Sequence, residues 1–97
     1  MNIAIEVVVF KAKAGVSDGQ LQAAALAVTP ILKKMPGFIS REFAVSEDGK
    51  YIDVVHWKDL SSAKAAAENV MSIPVCGEFF GLIDQNEMQF MHFTKVV

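Results

Sequence analysis

The sequence predicts an α+β domain of ferredoxin-like βαββαβ order, a four-stranded antiparallel sheet covered on one side by helices. Three observations carry this reading. The 97 residues suit one domain spanning residues 1–97. Strand-like segments at both ends enclose two helical segments and a central pair of strands. An Asp48-Gly49 hairpin signal joins that central pair.

The first strand is read over Ile3 to Lys13, rich in Ile and Val. Ile3, Ile5, Val7 and Val9 fall on one face, and Ala4, Val8 and Phe10 on the other, with Glu6 among the second set. A strand apolar on both faces is covered on both. After a turn at Ala14 to Val16, Ser17 and Gln20 form a capping box that opens a helix. Leu21, Ala24, Ala25, Val28, Ile31 and Leu32 recur at helical spacing. Pro30 lies inside this pattern and is expected to kink or break the helix near Leu26 to Thr29. Met35-Pro36-Gly37 ends it.

Phe38 to Ser46 and Tyr51 to Lys58 are the second and third strands, joined through Glu47-Asp48-Gly49-Lys50. Asp59 or Ser61 caps a second helix that runs to about Met71. Pro74 and Gly77 are expected to break the chain, with a further helical turn over Glu78 to Ile83. Asn86 to Val96 is the last strand. One hairpin and two right-handed crossovers give the antiparallel sheet.

Hydrophobic residues make up 53% of the chain and charged residues only 21%, more apolar material than a monomer of this size can easily bury. Two helices cover one sheet face. The first strand, and Met88, Phe90, Met91 and Phe93 on the last, predict that the other face is apolar too. Packing two such faces together would bury roughly 1,600 Å² or more, so a homodimer through the open sheet face is expected.

The net charge of −2 and the scattered basic residues, of which only Lys33 and Lys34 are adjacent, argue against nucleic acid as a partner. No stretch approaches the roughly twenty apolar residues of a membrane helix. No signal-peptide pattern stands at the start, where Glu6 interrupts the apolar run, and the cytoplasm is the expected compartment. Cys76, the only cysteine, excludes an intrachain disulfide and reads as a buried thiol. His56 and His92 with scattered carboxylates have no ligand spacing, so no metal site is expected. Neither is a phosphate loop, a flavin or a nicotinamide site, and no cofactor is called for.

The residues able to carry chemistry lie on the sheet. Alternation puts Tyr51, Asp53, Val55 and Trp57 on one face of the third strand and His56 on the other. With the first strand between the third and fourth, Glu6 and Asp53 become near neighbours, and His92 lies across on the last strand. An acid pair beside a histidine raises a carboxylate pKa and supplies a general base. Such a base can deprotonate a phenol or an enolisable ketone, and oxygen then adds to the carbanion without metal or flavin. Duller roles compete: Trp57 as core packing, His56 as an interface histidine, His92 as an exposed strand end, and Glu6 and Asp53 as partners of Lys11, Lys13 or Lys58. Tyr51 packs across strands, and Phe79 and Phe80 cap the core or line a pocket mouth. The alanine-rich second helix, with Ala63, Ala66 and Ala67, either approaches the sheet closely or leaves an apolar pocket.

The segments Met35-Pro36-Gly37-Phe38 and Asp48-Gly49-Lys50-Tyr51 and the passage from Val54 through Trp57 to Ala63 resemble the antibiotic biosynthesis monooxygenase-like superfamily. The resemblance covers nearly the whole chain and implies a dimeric α+β barrel. It also implies a cofactor-independent monooxygenase, or a related isomerase, acting on a small aromatic or polyketide-like substrate. Trp57 matches the tryptophan that sits between sheet and helices in those enzymes, and Asp53, Glu6 or His92 would manage protons. Two departures weigh the other way. Asp53 stands where the enzymes carry Asn, and the sole arginine, Arg41, lies on the second strand, leaving their later arginine role vacant. Ala67 occupies the region where the haem-degrading branch has a helix histidine, which argues against haem degradation. The alternative is a non-catalytic dimer of the same fold that binds a small apolar ligand or serves a stress-related role.

Overall fold

The computed structural model describes residues 2–97. Its strands are β1 (Ala4–Phe10), β2 (Phe38–Val45), β3 (Tyr51–Trp57) and β4 (Gln89–Thr94), and its helices are α1 (Asp18–Lys33), α2 (Leu60–Val70) and α3 (Pro74–Phe80). A short 3-10 turn, Gln85–Glu87, leads into β4. The sheet order is β2-β3-β1-β4, with every neighbouring pair antiparallel. This is the ferredoxin-like α+β architecture that the element order predicts.

The α1 terminus follows its sequence signal: the Ser17 hydroxyl accepts from the Gln20 backbone N–H at 3.1 Å, satisfying one of the orphan donors of the first turn. Leu21, Ala25, Val28 and Leu32 form its buried face. Pro30 does not break the helix, which runs without interruption to Lys33. Pro30 and Leu26, whose carbonyl loses its donor, both lie on the exposed side, so the missing bond falls where the helix faces solvent and not the core.

The hairpin closes as its Asp-Gly signal requires. Gly49 has φ +85°, and the Ser46 N–H donates to the Lys50 carbonyl at 2.8 Å. Gly37, at φ +86°, is needed for a second reason. A Cβ there would lie 2.6 Å from Cβ of Ser62, so its absence lets α2 start close against the beginning of β2. The Asp59 carboxylate caps α2 by accepting from the Ser62 N–H at 2.8 Å.

The expected break at Pro74 and Gly77 is instead helix α3. Pro74 occupies its first turn, where a missing N–H costs nothing. The helical turn expected over Glu78 to Ile83 therefore begins earlier and ends at Phe80. Two strands are also shorter than expected. β1 stops at Phe10, leaving Ala12 in an isolated bridge to Ile83, and β4 starts at Gln89 because the 3-10 turn takes up Gln85–Glu87.

The register decides which side chains meet. Arg41 pairs with Val55, Val55 with Glu6, and Glu6 with His92, one row across all four strands. Phe43, Asp53, Val8 and Phe90 form the next row. Directly paired residues share a face, and both rows face the helices. The core between sheet and helices buries Trp57, Tyr51, Phe10, Leu21, Ile83 and Cys76 completely. The other face carries Ile5, Val7, Val9, Ile52, Val54 and Phe93, and among the described residues no helix covers it. Phe93 is 49% exposed there. His56 lies on this face, its Nε2 3.7 Å from the Glu42 carboxylate.

Candidate functional site

A cavity of about 280 Å³ lies between the helix-facing side of the sheet and the three helices. It exists because α2 presents Ala66 and Ala67 where larger side chains would fill the space. Its lining is almost wholly apolar; Glu6, Arg41, Asp53 and the indole of Trp57 contribute polar groups from the sheet, and Gln85 contributes one from the 3-10 turn. An apolar cleft with a few convergent polar groups is the usual form of a small-molecule site. Phe79 and Phe80 both line it; Phe79 is buried, in edge contact with Phe10.

Trp57 is completely buried, its ring edge-on to Phe38 at 5.7 Å. Among the described residues its indole N–H has no partner at hydrogen-bond geometry, although it lies near enough to the Glu6 carboxyl to lower that group's pKa weakly. A buried donor without an acceptor is costly, and this one belongs to the cavity wall.

Glu6 projects from the middle of β1 into this apolar space, its side chain 15% exposed. Its pKa is raised from 4.5 to about 7. Burial is the main cause, the charge of Asp53 adds to it, and Arg41 and the Trp57 indole act more weakly in the opposite direction. His92 stands behind Glu6, with Nε2 3.4 Å from Glu6 Oε1. The contact lacks hydrogen-bond geometry and leaves Nε2 without a partner among the described residues. Burial, and secondarily the charge of Lys64, push the imidazole pKa down, so the ring favours its neutral form. His92 does not line the cavity and bears on it only through Glu6. Its side chain is 18% exposed, so it is no solvent-facing strand end.

Asp53 meets Arg41 and not a lysine. Arg41 Nε donates to one carboxylate oxygen at 2.9 Å and Nη2 to the other at 2.7 Å, a two-pronged pair with the arginine side chain 3% exposed. Nη1 donates to the Ala25 carbonyl of α1 and, at 3.0 Å, to the Thr29 hydroxyl. Phe43 and Phe79 flank the guanidinium, their ring centroids 5.6 and 5.7 Å away.

Arg41 had no role assigned from sequence. The signal was there: counting back across the hairpin from Tyr51 places Arg41 opposite Val55, one position from Asp53 on the same face. Tyr51 stacks on Phe10 and Phe43, and its hydroxyl donates to Asp18 at 2.7 Å. Cys76 is buried, and desolvation pushes its thiol pKa up. Among the described residues no group of three or more His, Cys, Asp or Glu side chains could hold a metal ion, and no helix is long and apolar enough to cross a membrane.

Solved structures share this arrangement of strands and helices. SnoaB from Streptomyces nogalater, a cofactor-independent oxygenase, superposes with TM-score 0.83 at 14% identity, over 100% of this chain and 96% of that one. A candidate antibiotic biosynthesis monooxygenase from Bordetella bronchiseptica gives TM-score 0.77 at 14% identity, over 100% of both chains. The fold is the one that these solved structures share, a ferredoxin-like α+β domain. A dimeric ferredoxin-like protein of unknown function from Jannaschia sp. also matches, with TM-score 0.71 at 10% identity, over 94% of this chain and 97% of that one. No family profile and no curated protein sequence matches the chain. At these identities the likeness establishes fold, and activity has to be argued from the site.

Proposed function

We propose that this protein is a cofactor-independent monooxygenase, or a related isomerase, acting on a small aromatic or polyketide-like ketone or phenol bound in the cavity. The observation that carries the reading is the Glu6 carboxyl. It sits in an apolar cavity with its pKa raised to about 7, beside the unpartnered N–H of Trp57. A base is most useful when its pKa lies near the operating pH. Glu6 takes a proton from the activated carbon of the substrate, and the Trp57 N–H donates to the oxygen on which the enolate charge develops. Dioxygen adds to the carbanion carbon and forms a C–O bond. The peroxide oxygen takes up the proton, and loss of water leaves a new carbonyl. For a methylene carbon the step consumes one dioxygen, places one oxygen atom in the product and one in water, and requires no external reductant. In this reading His92 supports Glu6 from behind. Asp53, held by Arg41, contributes charge to the site.

The open sheet face supports a homodimer. Its exposed Ile52 and Phe93 are the kind of surface that a second copy covers, and one fold neighbour is described as dimeric. A single buried cysteine suits a cytoplasmic protein.

One observation favours a non-catalytic, ligand-binding reading of the same cavity. Both oxygens of Asp53 are taken by Arg41, so the position where the monooxygenases it resembles carry a neutral amide has no oxygen free of that pair to meet a ligand. A thermal-shift screen against phenols, quinones and anthrone-like ketones, followed by oxygen uptake on the hits, separates the two. The oxygenase reading expects a stabilising class that is also turned over, with turnover lost in Glu6→Gln and reduced in Trp57→Phe. Binding without oxygen uptake overturns it in favour of the second.

A further inference from the structure

Arg41 is more elaborately held than a structural ion pair requires. A buried pair is often no more stabilising than two well-packed apolar residues. Here, however, the guanidinium places four directed bonds: two on Asp53, and two on α1, at the Ala25 carbonyl and the Thr29 hydroxyl. The α1 bonds fall in the turn before Pro30, so the helix serves as an anchor for the arginine. The arginine fixes Asp53, and Asp53 is the diagonal neighbour of Glu6: Glu6 pairs with Val55 while Asp53 pairs with Val8. Such diagonal positions lie roughly 7–8 Å apart, backbone to backbone, close enough for the charge of one carboxylate to be felt by the other across an apolar cavity.

We propose that Arg41 is a positioning residue of this pocket: anchored on α1, it holds the Asp53 carboxylate as a fixed negative neighbour of Glu6, and the Arg41–Asp53 pair thereby tunes how readily the buried Glu6 takes up a proton. The inference rests on the reading of Glu6 as the base of the site. The charged and titratable groups around Glu6 are few. β2 supplies Arg41, β3 supplies Asp53, and β4 supplies His92, whose ring favours its neutral form; Lys64 on α2 acts on His92. The cavity-lining residues of α1, α2 and α3 carry no charge. Of the two charges in the pair, Asp53 acts on Glu6 more strongly than Arg41 does.

The test is a side-chain 13C NMR titration of Glu6 in the full chain without ligand, for wild type, Asp53→Asn and Arg41→Gln/Asp53→Asn. The double variant replaces the ion pair with two amides of similar shape and protects against misfolding around an unpaired charge. In Asp53→Asn the Glu6 midpoint falls, because the raising charge is gone and the arginine remains. In the double variant the midpoint recovers part of the way, because the lowering charge is gone as well. The acid limb of oxygen uptake on a turned-over substrate shifts in the same order. A Glu6 midpoint unmoved in Asp53→Asn, or equal in the two variants, overturns the proposal, since a merely structural pair would not order the midpoints in this way. Failure of the base assignment is read separately. If Glu6→Gln keeps its turnover while the midpoints move as described, the pair tunes Glu6 but Glu6 is not the base.

Discussion

Replacing Glu6 by Gln keeps the size and polarity of the side chain and removes its titration. In the folded chain the Glu6 pKa rises from 4.5 to about 7, which at ~1.4 kcal/mol per pH unit amounts to about 3 kcal/mol. The sign follows from proton binding. The folded state holds this proton more tightly than the unfolded chain does, so the associated stability is fully present below pH 4.5 and is lost as the pH rises through about 7. The side chain is only 15% exposed, so solvent screening removes little of the effect. Wild type and Glu6→Gln therefore have nearly equal stability at pH 4, and at pH 8 the variant is the more stable by about 3 kcal/mol. Urea unfolding at several pH values checks this, at one fixed protein concentration because self-association shifts apparent stability. Curves for the two proteins that run parallel from pH 4 to pH 8 would refute the account of Glu6 as a carboxyl strained by burial, and the proposed base with it.

Three further outcomes follow from the same geometry. Ala67→Leu projects three more carbons into the cavity, which has room for them. It should abolish ligand-induced thermal shifts while changing stability by less than ~1.5 kcal/mol. On the open sheet face, Phe93→Asp puts a charge where a second copy is proposed to pack, and sedimentation should show dimer for the wild type and monomer for the variant. Gly37→Ala combines a positive φ with a contact against Ser62, and should cost at least ~2 kcal/mol in denaturant unfolding without altering the cavity residues.

Much of the fold was legible along the chain because its signals are local. Ser17 and Asp59 satisfy backbone donors within three residues of themselves, Gly49 supplies the φ that the hairpin needs, and alternation sorts β3 into two faces. Local rules misjudged Pro30 and Pro74. The cost of a proline depends on whether the carbonyl it leaves unpaired faces water and on whether its own N–H was needed, and both are set by position within the folded helix.

For the candidate site, the sequence by itself determined which residues share one face of the sheet, and the structure decided that this is the helix side. Glu6, Asp53, Trp57 and His92 could be assembled there from strand order and parity alone, and the alanines of α2 posed the choice between close packing and a cavity. Only the tertiary structure decided that choice, since a cavity is what remains after distant side chains have filled their own space. It also decided partners. Asp53 is taken by Arg41, which the sequence left without a role, and Glu6 is left to bear the desolvation. Hydrogen-bond geometry and dielectric environment depend on atoms brought together from four strands and three helices, and no local pattern in the chain encodes them.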